Sequence, residues 1–305
     1  MLEGLLNITK KDIARTYTDG ERILKEYLEV KDRIERGWTL GRIVREHFGI
    51  KSADRTRYVV FYNRFKAWSR KKEPKIPCVI NGINTLVELG LLPFTYSNEK
   101  FDIINILGSW LFWRGSLSNN STKNRTRYEM HLNYKNPQEA INIKHTLSKL
   151  RATEPYAPDG YIDITGSIPR LFTQLGFPIG EKSQEEVTIP TYIEDLYYAK
   201  NLSKNEKKFR HKTIKTFIDG LFYLRGRLQN NDITLNMHHM STQEKSKKQA
   251  ELISNMIKEF YDLGSIIRAY ERHTGTFTHR LCIKGANQEE LKMSYVDKIN
   301  ELKSA

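Results

Sequence analysis

The sequence predicts an α+β fold of two similar halves, each with the order αββαββα, preceded by an all-α region. Three observations carry this. Two apolar, helix-like runs close on the same dipeptide, Ile106-Leu107-Gly108-Ser109-Trp110-Leu111-Phe112-Trp113-Arg114-Gly115 and Phe217-Ile218-Asp219-Gly220-Leu221-Phe222-Tyr223-Leu224-Arg225-Gly226. Each is followed, after a polar loop, by residues that alternate apolar and polar with the period of a strand, Tyr128-Glu129-Met130-His131-Leu132-Asn133-Tyr134 and Ile233-Thr234-Leu235-Asn236-Met237-His238. The same succession then recurs: a helix start with an early acid (Asn136-Pro137-Gln138-Glu139-Ala140; Ser241-Thr242-Gln243-Glu244-Lys245), a helix to Leu150 or Leu263, a strand at 161–166 or 280–285, and a closing helix.

Composition bounds the partners. Lys and Arg number 50 against 36 Asp and Glu, a formal charge of +14 that points to a polyanion bound through phosphate contacts. Hydrophobic residues at 39% and aromatics at 11% are enough for packed cores. The two cysteines, Cys78 and Cys282, have no CxxC or Cys/His spacing. No zinc site, disulfide framework or cofactor is therefore expected, and the usage fits a reducing compartment. The start of the chain does not read as a signal peptide, and no run reaches the ~18 apolar residues of a membrane span. A cytoplasmic, nucleoid-associated protein without membrane contact is the expectation.

Residues 1–76 read as one helical domain. Ile23, Leu24, Tyr27, Leu28 and Val30 fall near helical spacing. Thr39 is a suitable N-cap ahead of Leu40, Ile43 and Val44, and Gly49 sits where the chain turns after a helix, with Ile50 as an apolar plug. A further helix follows through Tyr58, Val59, Tyr62 and Phe65. Helix, glycine turn, helix resembles a helix-turn-helix motif. After the turn, Lys51, Arg55, Arg57, Arg64, Lys66, Arg70, Lys71, Lys72 and Lys75 stand against Asp54 and Glu73 alone. Lys51, Ser52, Arg55 and Arg57 are the expected DNA contacts; a structural bundle or a protein-contacting face is the alternative.

Residues 77–100 are expected to be a linker with a short helix over 82–91, and Ser97 or Asn98 to cap the first apolar run. The halves are placed at 101–182 and 212–305, joined by a second linker at 183–211. Alternation assigns faces: Ile233, Leu235 and Met237 point to the helices, leaving Thr234, Asn236 and His238 on the other side. Arg227, Gln229, Arg268, Tyr270, Arg272 and Arg280 are expected to share that side. Arg125, Arg127, Glu129, His131 and Asn133 form the equivalent set in the first half. Arg, Asn, Gln and Thr suit base-edge readout; an ordinary solvent-facing sheet is the bland alternative. His211, His238 and His239 have no convergent carboxylates or cysteines, so no metal site is expected.

The paired runs resemble the LAGLIDADG helices of homing endonucleases, and the duplicated order resembles that family's single-chain, two-repeat members, from residue 101 to the end of the chain. The resemblance implies a saddle of two curved sheets on the DNA major groove. It also implies two central helices packed through small residues, here Gly108, Ser109 and Gly220. In that family an acid just before the last glycine binds the catalytic metal; here those positions hold Arg114 and Arg225. A guanidinium cannot ligate a hard divalent cation, so no catalytic residue is expected, and Asp219 falls in the small-residue zone. Arg114 and Arg225 are instead expected to hold phosphate or the minor groove, or alternatively to pair with Glu185 or Glu194 and join the halves. The resulting expectation is a sequence-specific double-stranded DNA-binding protein, a transcriptional regulator that has lost its catalytic acids. It would be monomeric because the pseudo-dimer lies within one chain. Similar combinations, in reversed order, occur in bacterial sporulation-control regulators. The alternatives are an active Mg-dependent homing endonuclease and an RNA-binding intron maturase. The two arginines argue against the first, and the narrow major groove of A-form RNA against the second.

Overall fold

A 3₁₀ turn over Leu2–Gly4 precedes a short strand, β1 (Asn7–Ile8), and a one-and-a-half-turn helix, α1 (Lys10–Arg15), closed at its N-terminus by Thr9 and Asp12, whose Oδ2 accepts from the Thr9 amide (2.9 Å) and hydroxyl (2.6 Å). This computed structural model describes residues 2–120, 126–150, 160–180, 189–229, 232–238, 240–271, 277–284 and 287–304, with backbone alone at 3, 229, 271, 288 and 302–304. Helix α2 (Gly20–Glu35) turns sharply away from α1. Gly20 permits this, since a Cβ there would lie 1.9 Å from the Ala14 carbonyl oxygen. Thr39 Oγ1 accepts from the Arg42 amide (3.3 Å) and caps α3 (Leu40–Arg42), which continues as a π-helical turn over Ile43–His47. Gly49 takes φ +65°, Ile50 is buried, and Asp54 caps α4 (Arg55–Trp68). Val30, Ile43, Val44, Ile50, Phe65 and Trp68 form a small core of their own.

That core corrects the expected first domain. Leu6, Ile8, Ile13 and Ala14 belong to the main core, packed with Val79, Ile83 and Leu86 of α5 (Cys78–Glu88). The segment expected as a linker is likewise structural: β2 (Phe94–Thr95) pairs antiparallel with β1 through Ile8↔Phe94. Short amphipathic pieces of this kind give weak periodicity, and burial against distant partners decides their place.

The first half runs α6 (Phe101–Arg114), β3 (Gly115–Asn119), β4 (Tyr128–Asn133), α7 (Pro137–Ser148), β5 (Tyr161–Thr165) and α8 (Ile168–Gln174). Lys100 and not Asn98 or Ser97 occupies the α6 N-cap. The second linker also contributes to the core. Its helix α9 (Thr191–Tyr198) inserts Tyr192, whose hydroxyl donates to Asn105 Oδ1 (2.9 Å). The second half starts earlier than expected, because Ser203 and Glu206 form a capping box for α10 (Lys204–Arg225). It continues as β6 (Gly226–Gln229), β7 (Asp232–Asn236), α11 (Gln243–Tyr261), β8 (Ser265–Glu271), β9 (Phe277–Ile283) and α12 (Gln288–Ser304). Among the described residues the antiparallel sheets have the orders β3-β4-β5 and β6-β7-β9-β8. The fold is α+β with a duplicated order, and no helix among the described residues is long and apolar enough to cross a membrane.

Helices α6 and α10 pack together at the centre. Ser109 Oγ and Trp113 Nε1 both donate to the Phe217 carbonyl (2.9 and 3.0 Å), and Asn105 Nδ2 donates to the Thr213 carbonyl (3.0 Å). Gly220 faces Ser109, and a Cβ on Gly220 would stand 1.9 Å from its Oγ. Gly108 does not serve this seam: a Cβ there would meet Phe177 and Tyr192 at 2.9 Å. Two small residues, not three, set the helix approach.

Candidate nucleic-acid interface

At the C-terminal ends of α6 and α10 the last carbonyls have no helical partners, and each arginine answers for the opposite helix. Arg225 Nε donates to the Trp113 carbonyl (2.5 Å), and Arg114 Nη2 donates to that of Leu224. A cation at a helix C-terminus also suits the dipole. The two arginines therefore clasp the halves reciprocally, each through the residue preceding the other. This corrects the expected alternative partner: Arg114 pairs with Glu139 on α7, its Nη1 2.8 and 2.7 Å from Oε1 and Oε2. It also limits the expected phosphate role of Arg114, whose two terminal nitrogens are both engaged. Among the described residues Arg225 has no carboxylate partner; its Nη1 reaches the carbonyls of Asn236 (3.2 Å) and Met237 (3.4 Å).

These groups line a cavity of about 390 Å³ with Lys135, Arg227, Asn236 and Lys292. Burial, reinforced by Arg114, pushes the Arg225 guanidinium down to about 10. Arg114 and then burial lower the Lys135 ammonium, and burial with Arg114 lowers Lys292. Like charges disfavour one another's protonated forms here. Lys135 and Lys292 were not among the residues expected from sequence. They come from a loop after β4 and from α12, and no local pattern marks either as a neighbour of the arginines.

The outer face of the second sheet is set by register. Arg227 opposes Thr234, Asn236 opposes Arg280, and Arg280 in turn opposes Arg268. Inward lie Ile233, Leu235 and Leu281, all buried, as the alternation predicts. Arg280 Nε donates to Asn236 Oδ1 (2.9 Å), and its guanidinium lies over Tyr270, 4.6 Å from the ring centroid. Arg227 and Arg268 are exposed, and neither has a carboxylate partner among the described residues. Gln229 sits in β6 opposite Asp232. Arg125, Arg272, His239 and Glu185 lie outside the described residues.

His238 is a correction. It is buried, stacked on Phe112 (centroids 4.9 Å apart) and edge-on to Trp113, so it belongs to the core between the halves. Strand β7 ends at Asn236, so the alternation no longer governs where His238 points.

The first sheet's outer face differs. Ser116, His131 and Asp163 align across its strands, as do Ser118, Glu129 and Thr165. Arg127 Nε meets Glu129 Oε1 at 2.6 Å, and His131 Nδ1 lies 3.5 Å from Asp163 Oδ1. Asn133 is exposed, and its carbonyl accepts from Trp110 Nε1 (2.9 Å). Here the expected cations meet acids. On the helical unit, Lys51, Ser52, Arg55 and Arg57 are all exposed, whereas Arg64 is committed to Glu26 (2.7 Å) and to the Phe61 ring.

Asp219 is fully buried. It accepts from Tyr261 Oη (2.6 Å), Ser294 Oγ (3.0 Å) and Lys298 Nζ (2.5 Å), which ties α10 to α11 and α12. Among the described residues no group of three or more His, Cys, Asp and Glu could hold a metal ion.

The chain matches no family model and no curated protein. Among solved structures it is similar to I-DmoI in complex with DNA and Mn, at 13% identity over 65% of this chain and 96% of that one, TM-score 0.41. It is also similar to mesophilic variants from the homing endonuclease I-DmoI, at 14% identity over 62% of this chain and 86% of that one, TM-score 0.41.

Proposed function

We propose that this protein is a sequence-specific double-stranded DNA-binding protein of LAGLIDADG-like origin, acting as a monomeric transcriptional regulator that holds DNA without cutting it. The observation that carries the reading is the outer face of the second sheet. Arg268 and Arg280 stand directly opposite each other, beside Asn236 and an Arg227 that has no acid partner among the described residues. Like charges opposed across a strand pair are destabilising, and a polyanion laid on the face relieves them. The exposed Lys51, Ser52, Arg55 and Arg57 of the helical unit extend the contact, and the net charge of +14 favours it overall. The non-cleaving assignment rests on the guanidinium groups that end both central helices. Their surroundings hold five cations and one carboxylate, an environment that repels a divalent metal ion.

The test is selection of bound duplexes from a random pool, followed by affinity measurement and incubation with Mg²⁺ or Mn²⁺. Affinity should fall by orders of magnitude between ~50 and ~200 mM salt. Replacing Arg268 and Arg280 by Ala should cost about 1–3 kcal/mol each and relax the selected sequence. Enrichment of no sequence, or site-specific cleavage that persists through purification, would overturn the reading.

A further inference from the structure

A second cavity, of about 640 Å³, lies where the bend between α1 and α2, the start of α5 and the ends of β4 and β5 meet. It shares no lining residue with the cavity beneath the paired helices, and its volume is in the range of small-molecule sites. Its chemical centre is Arg170 on α8, only 3% exposed. The guanidinium lies over the rings of Tyr17 and Tyr128, 3.4 and 4.9 Å from their centroids. Nη1 donates to the Thr16 carbonyl (2.5 Å) and hydroxyl (3.0 Å), and Nη2 to the Thr126 carbonyl (2.5 Å). Those acceptors are neutral, and no carboxylate among the described residues pairs with Arg170 or lines the cavity. A buried cation held by neutral groups alone is costly, and burial lowers this guanidinium from its ordinary value. Its Nε–H and one N–H of Nη2 take no bond from the described residues. Nε and Nη2 share the edge of a guanidinium that a planar carboxylate meets with both oxygens. Helix α5 adds the positive end of its dipole: Cys78 and Val79 line the cavity, and no side chain caps that end. Ile23, Val79 and the two tyrosine rings supply apolar surface.

We propose that this cavity binds a small organic carboxylate with a planar, largely apolar body. The carboxylate sits on the Nε and Nη2 edge of Arg170, and the body lies against Tyr17, Tyr128 and Ile23. Ile23 packs on both hydrophobic cores, so the occupant touches the element that joins the helical unit to the first half. This site goes beyond the DNA-binding reading and does not depend on it.

The experiment titrates the full chain with indole-3-acetate, its neutral isostere indole-3-acetamide, and inorganic phosphate. Binding is read by calorimetry and by the rate at which iodoacetamide alkylates Cys78. Cys78 is exposed and lines the cavity whereas Cys282 is buried, so alkylation of the native protein reports on this site. Indole-3-acetate should bind one to one and slow alkylation saturably. The amide should bind at least about tenfold more weakly, because it cannot form the charge-assisted pair. Phosphate should neither protect Cys78 nor compete. Asn81 lines the cavity, and its side chain makes no hydrogen bond among the described residues, so Asn81→Asp adds a repelling charge without removing a contact. That variant should bind indole-3-acetate about threefold or more weakly. Asn84→Asp, an exposed position on the same helix outside the lining, should bind like the parent. Arg170→Gln should lose protection altogether; Asn81→Asp keeps the test open if that variant does not fold. Absence of saturable protection, equal binding of acid and amide, protection by phosphate as strong as by the acid, or equal weakening by the two aspartates would each sink the proposal.

Discussion

When Arg114 is aligned with Arg225, the two halves share a path and differ in charge at particular positions. Gly108 and Ser109 align with Asp219 and Gly220, and Ser116 aligns with Arg227. At the third position of the following helix the first half has Glu139, bonded to its Asn136 cap, and the second has Lys245, bonded to its Thr242 cap. The outer sheet faces follow suit: Glu129 pairs with Arg127 and Asp163 lies across from His131 in the first half, whereas among the described residues Arg227, Arg268 and Arg280 of the second have no acid partner. On its outer sheet face the first half sets an acid beside Arg127, and the second half, among the described residues, sets none beside Arg227, Arg268 or Arg280. The repeated order supplies the scaffold, and differences at solvent-facing and cap positions make the two outer faces unlike.

The sharpest break in symmetry at the centre is Asp219 against Gly108. A buried carboxylate with three donors is stable only while all of them hold. Asp219→Ala leaves Lys298 without its carboxylate and Tyr261 with the Lys215 carbonyl alone, and should cost about 3–5 kcal/mol in chemical denaturation, with Asp219→Asn retaining part of the hydrogen bonding. A loss below about 1 kcal/mol would show that α12 is held by apolar packing alone.

The helix approach offers a smaller and reversible test. A methyl group on Gly220 collides with Ser109 Oγ, so Gly220→Ala should cost about 1–3 kcal/mol by overpacking. Adding Ser109→Gly makes room while giving up the hydrogen bond to the Phe217 carbonyl, so the double variant should recover part of the loss. Strict additivity of the two changes would mean that these residues do not meet.

What the sequence could reveal follows the range of each interaction. Strand alternation depends on neighbours along the chain: Met130 and Leu132 are buried with His131 half-exposed between them as expected, whereas Thr234 is buried along with Ile233 and Leu235. The apolar runs of α6 and α10 were equally plain. Arg114 with Glu139, or Lys292 with Arg225, joins residues from separate elements whose approach depends on how α7 and α12 dock, and no period encodes that. His238 departs from its expected face for a related reason: it lies two residues past the end of β7, where the chain turns inward onto Phe112. The N-terminal segment was assigned to the wrong unit because Ile13 and Ala14 show an apolar face without showing which core it meets.

The least effect, and the most local, concerns acid. The inner face of the first sheet is aliphatic (Leu117, Met130, Leu132, Ile162, Ile164), whereas the second carries buried His279 with Nδ1 2.8 Å from Ser246 Oγ on α11. Burial, and then Lys247, lower the His279 imidazole from its ordinary value, against a smaller opposing pull from Glu251. Above ~6.5, the ordinary histidine value, neither the folded nor the unfolded state protonates this group and its contribution to stability is whole. As pH falls through that value the unfolded chain takes up a proton that the folded chain refuses, so stability declines until the lowered folded value is reached. Hydrogen exchange at stepped pH, corrected for intrinsic rates, should therefore show β7, β9 and α11 losing protection before β3, β4 and β5. His279→Gln should remove that difference. Equal loss in both halves, or an unchanged difference in the variant, would place the acid sensitivity elsewhere in the molecule.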